Sequence, residues 1–252
     1  MHGAIRRLIV VACGALMMTA AACPSPGVAE DWASHEENTD PLEKMNRGVF
    51  WFNDKVDVYA LEPVAKGWHW LMPDRVERSV SNFFTNLRFP IHTLNNLLQG
   101  KLKNTGVQIG RFVVNSTVGI AGFFDPATDW GLPLQREDFG QTLGYWGLGP
   151  GPYLVLPLLG ASTIRDTAGL AGDACSTVYP WFVPWLYTIG PQAINTVNSR
   201  AEVIDDVREI KEASVDYYAA VRNGYLQRRD NDVHDRSGMS ETEQEQLYEI
   251  EE

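Results

Sequence analysis

The segment 110–166 places the strongest constraint on how this chain can fold. It is apolar and aromatic, but glycine and proline interrupt it so often that its longest apolar run, residues 153–159, has seven residues. A helix that spans a bilayer needs ~20 apolar residues, and a regular amphipathic helix needs an unbroken periodic pattern. The segment therefore predicts short, kinked, apolar elements, which suit a protein that lies in a membrane or encloses a lipid.

The N-terminus has the three parts of an export signal. Two arginines precede an apolar run at 8–18, and small residues lead to Cys23. Residues 1–22 are therefore predicted to be a signal peptide that the mature chain lacks. Cys23 fits a bacterial lipoprotein site, at which acyl chains on the thiol anchor the protein to a membrane surface. The alternative is ordinary cleavage after Ala22 with an incidental cysteine, because Ala20 stands where such sites usually carry leucine.

The remaining cysteines, histidines and serines form no recognisable catalytic or metal-binding pattern. Cys13 leaves with the signal, so an acylated Cys23 leaves Cys175 without a partner, and we expect no internal disulfide. No pair of histidines has the spacing of metal ligands. Residues 160–162 match only the start of a serine-hydrolase nucleophile elbow, in a region whose pattern is helical. We therefore expect no enzyme activity, metal or cofactor, with a phospholipase that uses Ser162 as an alternative.

Negative charge is concentrated at the C-terminal end of the chain. The formal net charge is −11, and residues 230–252 contribute −8 of it, from nine acidic residues against Arg236. An acidic segment with few apolar residues is typical of a disordered, solvated tail. The sequence has no basic patch of the kind that binds nucleic acid, which we exclude as a partner.

The rest of the chain has the pattern of an all-α protein with many short helices. Residues 40–43 are a strong helix start, and an apolar stripe follows at helical spacing. In a helix predicted at 104–118, apolar residues cover more than one stripe, so we expect burial on most sides. Residues 153–159 are predicted to be helical, and we find no alternating strand pattern. Further helices are predicted to begin at Pro63, Asp74, Pro90, Ser162 and about Pro191.

Residues 179–187 contain five aromatic side chains in nine residues. Aromatic rings with a polar group settle at the headgroup level of membranes. Four of them are therefore candidates for a membrane interface, with a loop packed on the core as the equal alternative. These four are Tyr179, Trp181, Trp185 and Tyr187.

Several motifs, in order along the chain, resemble the MlaA (VacJ) family of outer-membrane lipoproteins. The resemblance covers residues 40–229, and so many motifs in one order make it specific. The motifs are DPLEKMNR at 40–47 with FWFN at 50–53, NNLLQG at 95–100, RFVVNSTVG at 111–119, FGQTLG at 139–144, GPY at 151–153 with LP at 156–157, TIRD at 163–166 and YLQRR at 225–229.

The resemblance implies a fold, a location and a function. The fold is a single ring-shaped domain of short helices that lies in the inner, periplasmic leaflet of the outer membrane around a central amphipathic channel. Phospholipid misplaced in the outer leaflet would pass through this channel to the soluble periplasmic carrier MlaC. This removal of phospholipid would maintain the lipid asymmetry of the outer membrane. Family members associate with trimeric porins and are not enzymes. A lipoprotein of the cell envelope with a purely structural role is the alternative.

The residue pattern and the resemblance together set the expected boundaries, and the Gly-rich segment suggests the candidate channel residues. The boundaries are a signal peptide at 1–22, a tether at 23–39, the helical domain at 40–229 and the acidic tail at 230–252. We expect the Gly-rich segment 119–151 to line or gate the lipid path, because a headgroup that crosses hydrocarbon needs polar partners. The candidate hinges are Gly144, Gly147, Gly149 and Gly151, and the candidate wall residues, each of which has a capping or surface role as its alternative, are Asn115, Thr117, Asp125 and Arg136.

Overall fold

The computed structural model describes residues 40–177 and 186–236, with the backbone alone at 186–188. These residues form mainly helices, which confirms the predicted helical class. No described helix is both long enough and apolar enough to cross a membrane. The helices are α1 (Glu43–Val56), α2 (Glu62–Leu71), α3 (Asp74–Leu87), α4 (Phe89–Leu98), α5 (Leu102–Thr117), α6 (Pro126–Asp129), α7 (Phe139–Tyr145), α8 (Ile164–Ser176), α9 (Leu186–Glu202), α10 (Ile204–Ala213) and α11 (Tyr217–Val233).

Short polar side chains and prolines explain where several helices begin. Asp125, Asp138, Thr163 and Asp216 each accept a hydrogen bond from a backbone N–H of the first turn of the helix that follows. Prolines lie in the first turn of α2, α4 and α6, where the missing N–H has no helical partner to lose. A π-helical segment, Asp57–Leu61, joins α1 to α2.

One β-hairpin corrects the prediction of a helix at 153–159. Strand β1 (Tyr153–Leu156) pairs antiparallel with β2 (Gly160–Thr163). Leu158 and Gly160 have positive φ angles of 64° and 85°, which end a regular helix and form the turn. A short apolar run fits a buried strand as well as a helix, so periodicity alone could not decide.

Several helices turn polar side chains inward and apolar side chains outward. On α5 the buried residues are Thr105, Gln108, Arg111 and Asn115, whereas Val113 is 53% exposed. The expectation that α5 is buried on most sides is therefore wrong. On α1, Met45 and Phe52 are about half exposed and Asn46 is fully buried, whereas Val49 is partly buried against the apolar core.

Close backbone packing and a small aromatic core hold the helices together. The α7–α8 crossing is tight, because a Cβ added to Gly169 would lie 2.4 Å from the backbone nitrogen of Gly140. Tyr153, Val155 and Tyr218 form a buried apolar cluster between the hairpin and α11. The other fully buried side chains of largest volume in the described part are asparagines and threonines. Polar contacts therefore make up much of the interior.

The last helix extends past the predicted domain boundary. Helix α11 continues to Val233, and Lys101 Nζ lies 2.6 Å from Asp235 Oδ1. Arg236 is 8% exposed. Residues 230–236 therefore belong to the folded part, and the predicted tail begins too early. The predicted signal peptide, the tether with Cys23, and residues 237–252 lie outside the described residues.

Candidate functional site

A polar cavity of about 840 Å³ lies between α3, α9, α11 and the segment that precedes α7. A second cavity, of about 210 Å³, lies between α3, α4, α5 and α6. The two cavities share lining residues and therefore adjoin. We call them the main cavity and the side cavity. The shared residues are Ser81, Thr85, His92, Leu134 and Arg136.

An ion pair with supporting hydrogen bonds forms the wall of the side cavity. Arg111 Nη2 lies 2.9 and 2.8 Å from the two carboxylate oxygens of Asp125, and Asn115 Nδ2 donates to Asp125 Oδ1 at 2.8 Å. Burial alone would raise the pKa of Asp125, but hydrogen bonds from Thr128, Asn115 and Arg111 outweigh it and lower that pKa. The pair is therefore fully charged, and α5 and α6 are fixed to each other at this wall.

A second ion-pair network joins three helices at the edge of the main cavity. Arg229 on α11 donates to Asp138 at the start of α7, with N–O distances of 2.7 and 3.0 Å. It also donates to Asp166 on α8 at 3.1 and 2.8 Å. Burial would raise the pKa of Asp166, but the hydrogen bonds and charge of Arg229 lower it to about 2. Since both carboxylates are held charged, Arg229 is already neutralised.

His92 and Glu137 form a further part of the wall. Burial, followed by the nearby charges of Arg88 and Arg136, lowers the pKa of His92 to about 4, so this side chain is neutral at neutral pH. Glu137 is buried, and its carboxylate accepts hydrogen bonds from Gln99 at 2.8 Å and Lys101 at 3.0 Å. These contacts connect the cavity wall to the end of α4.

Three of the four predicted polar wall residues lie at the cavities. Asn115 and Asp125 line the side cavity, and Arg136 lines both cavities. Thr117 lies outside both sets of lining residues. It is exposed, and its hydroxyl donates to the carbonyl of Val113 at 2.7 Å, a local bond that threonine often forms in helices.

The four predicted hinge glycines lie outside the lining of both cavities. A Cβ on Gly144 would lie 2.8 Å from Arg165 Nη1, so close packing accounts for this glycine. Gly147 and Gly151 have φ angles of 90° and 67°, which other residues rarely adopt. Gly149 has open space around its Cβ position and no positive φ. A hinge between α7 and β1 stays a prediction.

The predicted interface aromatics are not placed by the structure. Tyr179, Trp181 and Trp185 lie outside the described residues, and Tyr187 lies in α9 at a position whose side chain is not described.

Ser162 and Cys175 each depart from an expectation. Ser162 lies in a strand rather than a helix. The residue is 3% exposed, and its hydroxyl contacts Thr163 O and Thr167 Oγ1 at 3.2 and 3.0 Å. A nucleophile elbow instead exposes its serine at a turn.

Cys175 is disulfide-bonded in the structure, so the expectation of no internal disulfide is wrong. The other cysteines lie outside the described residues.

Arg88, Arg111 and Arg229 line the cavities but were not singled out in the sequence. One signal could have located Arg111. Polar residues at 105, 108, 111 and 115 recur at helical spacing on the side of α5 that faces away from its apolar positions. No comparable pattern distinguishes Arg88 or Arg229, because their role depends on partners far away in the chain.

Comparisons with known proteins agree on one family. The family model described as "MlaA lipoprotein" matches residues 38–232. The intermembrane phospholipid transport system lipoproteins MlaA of Shigella flexneri and Escherichia coli K12 are each 36% identical over 208 residues, which cover 81% of this chain and 82% of each relative. A solved structure described as "Structural basis for maintenance of bacterial outer membrane lipid asymmetry" matches with a TM-score of 0.68 and 34% identity, over 77% of this chain and 99% of that chain.

Proposed function

The chain belongs to the MlaA lipoprotein family, and from this premise we propose that it removes phospholipid from the outer leaflet of the outer membrane. Lipid misplaced there passes through the main and side cavities and is handed to the periplasmic carrier MlaC. The relatives are named as lipoproteins of a phospholipid transport system and not as enzymes. The protein moves lipid and does not cleave it.

The observation that carries this proposal is the reversed polarity of the fold. Large apolar side chains on many elements lie outward, including Trp51, Trp70 at 87% exposure, Leu102 and Leu159. A surface with so many exposed apolar side chains is typical of contact with lipid or with another protein. Charged and amide groups line the interior cavities instead. This arrangement suits a protein that sits in one leaflet and offers a polar path through it.

The polar path lowers the cost of moving a headgroup past hydrocarbon. An unpaired polar group in an apolar medium costs several kcal/mol, and the cavity wall offers arginine, amide and hydroxyl groups in place of water. The main cavity, about 840 Å³, has the size of pockets that hold small ligands. It is large enough for a lipid headgroup with its glycerol.

The attachment and the partners belong to the same proposal. Acylated Cys23 holds the protein on the periplasmic side of the outer membrane, and a trimeric porin contacts its apolar outer surface. The intact mass of the mature protein tests the anchor directly, and we expect the mass of three acyl chains on a chain that begins at Cys23. A mature chain without acyl chains would exclude the anchor.

Lipid composition by leaflet, in cells with and without the gene, tests the function. Loss of the gene is expected to increase phospholipid in the outer leaflet, and the wild-type gene and Ser162→Ala are expected to restore the normal level. Failure of the Ser162→Ala variant, together with fatty acid release by the wild type alone, would favour a phospholipase. Unchanged leaflet composition on gene loss would favour a purely structural lipoprotein.

A further inference from the structure

Two arginines on the wall of the main cavity have no ion-pair partner among the residues that the structure describes. Arg88 follows α3 and Arg136 precedes α7, and both side chains line the main cavity. Other arginines on this wall are engaged, since Arg229 binds Asp138 and Asp166 and Arg228 lies 3.8 Å from Asp232. Arg88 and Arg136 therefore offer the cavity two exposed guanidinium groups that are not bound by a carboxylate of the described residues.

Arg88 and Arg136 both act on one residue of the cavity wall, His92. Both Arg88 and Arg136 act electrostatically on His92, which lines both cavities. His92 is 6% exposed and neutral, so it neither repels nor neutralises an anion there. Both guanidinium groups therefore lie within electrostatic range of one side chain of the cavity wall, and Arg136 lines the junction of the main and side cavities.

Most acidic residues on the same wall are already bound by other groups. Asp138 is bound by Arg229, and Glu137 and Asp235 are both bound by Lys101. Glu202 accepts a hydrogen bond from the hydroxyl of Ser81. Ser81 lies seven residues before Arg88 along α3 and its short turn, which corresponds to about 10 Å. Glu202 therefore contacts the wall about two helical turns before Arg88.

We propose that Arg88 and Arg136 form a binding site for the phosphate group of a phospholipid as its headgroup crosses the main cavity. The planar guanidinium matches two phosphate oxygens at once. A phosphate that leaves water needs such partners, and two arginines supply them without breaking an existing ion pair. This inference rests on the proposed function and adds the chemical group that the path recognises.

Direct binding by the purified full-length protein in detergent tests the site. The probes are dilauroylphosphatidylglycerol, dilauroylglycerol with the same acyl chains and no phosphate, and inorganic phosphate. The variants are the double substitution Arg88→Gln with Arg136→Gln and the control Arg75→Gln, which removes an exposed arginine of α3 that lines neither cavity. Circular dichroism and thermal melting establish that each variant is folded.

The wild type is expected to bind the phosphatidylglycerol more tightly than the diacylglycerol or inorganic phosphate. The double variant is expected to bind phosphatidylglycerol about tenfold to a hundredfold more weakly, because hydrogen bonds between charged groups are strong. Its affinity for diacylglycerol and the affinities of Arg75→Gln should match those of the wild type. A variant that combines Arg88→Lys with Arg136→Lys should recover part of the binding.

Three outcomes would overturn the inference. Equal affinity of the wild type and the double variant for phosphatidylglycerol would exclude these arginines. Equal affinity of the wild type for the two lipids would exclude phosphate recognition. Binding of inorganic phosphate as tightly as phosphatidylglycerol would assign the site to a free anion. In each case the protein can still transport lipid, whereas a wild type that binds no lipid at all contradicts the proposed function itself.

Discussion

Two asparagines of α1 replace a neighbouring strand at the edge of β1. Asn46 donates to the carbonyl of Tyr153 at 3.0 Å and accepts from the backbone nitrogen of Val155 at 2.9 Å. Asn53 does the same for Leu156 and Leu158, at 2.9 and 2.8 Å. Seven residues separate the asparagines, so they share one face of the helix. The side chains thereby satisfy backbone groups that a two-stranded hairpin leaves open.

Replacing Asn46 with alanine is expected to destabilise the fold by about 2–4 kcal/mol, because two buried backbone groups lose their partners. Asn53→Ala should cost less, since Asn53 is only partly buried. The control is Asn223→Ala on the exposed face of α11. Thermal and chemical unfolding in detergent measure the differences. An Asn46→Ala variant as stable as the control would show that α1 does not hold the hairpin.

Asp173 makes stability depend on pH. Its carboxylate accepts hydrogen bonds from Phe139 N at 3.0 Å and Asn95 Nδ2 at 3.3 Å. Burial and the charge of Asp138 nevertheless raise its pKa from 3.8 to about 6. The folded state therefore holds this proton more tightly than the unfolded state. The stability that results is complete below pH 3.8 and is lost as pH rises through about 6.

Asp173→Asn is expected to remove this loss, because the amide keeps an acceptor oxygen without a charge. A pKa change from 3.8 to about 6 corresponds to about 3 kcal/mol. The free energy of unfolding of the variant minus that of the wild type should therefore be larger at pH 7.5 than at pH 4, by up to that amount. Thermal melting at both pH values measures it. A difference between variant and wild type that is the same at both pH values would contradict the raised pKa.

At the scale of residues, the sequence located some wall positions and missed others for physical reasons. Asn115, Asp125 and Arg136 lie in the Gly-rich region and next to it, where polar groups stand out against apolar neighbours. Thr117 also stands out there, but a hydroxyl on a helix can bond to its own backbone and face outward. Arg88 is distinguished by lining the main cavity without a bound carboxylate, and both features depend on the tertiary fold.

At the scale of elements, the main error concerned which face of a helix is inside. The spacing of apolar residues shows that α1 and α5 have two unlike faces. It does not show whether the apolar face meets a protein core or a membrane. In this chain the polar face of α5 is buried, and the buried residue of α1 is Asn46. The helix starts were predicted more reliably, because aspartate caps and prolines act through local contacts.

The segment between α7 and β1 tests the prediction of a hinge. Gly149→Val is expected to fold normally, since a Cβ meets nothing within 4 Å there. It should slow phospholipid flux in reconstituted vesicles, because valine restricts the backbone that glycine leaves free. Gly67→Val on α2 is the matched control, with equally open surroundings. Wild-type flux through folded Gly149→Val would show that position 149 is not a hinge.

At the scale of the whole molecule, several residues that carry the family resemblance are buried and polar. Asn46, Asn95, Arg111, Asn115 and Asp166 all lie in the motifs and are all buried. The helical class and the family were therefore accessible from the sequence. The cavities were not, because they arise where α3, α5, α9 and α11 meet, and those contacts join distant parts of the chain.

The central claim is that phospholipid passes through the joined cavities, and a plug at their junction tests it most directly. Thr85 lines both cavities, whereas Thr117 is exposed and lines neither. The measurement is transfer of labelled phospholipid from vesicles that contain the reconstituted protein to the purified periplasmic carrier. Thr85→Trp is expected to reduce transfer to background. The matched variant Thr117→Trp is expected to transfer phospholipid at the wild-type rate. Transfer at the wild-type rate by folded Thr85→Trp would contradict the claim.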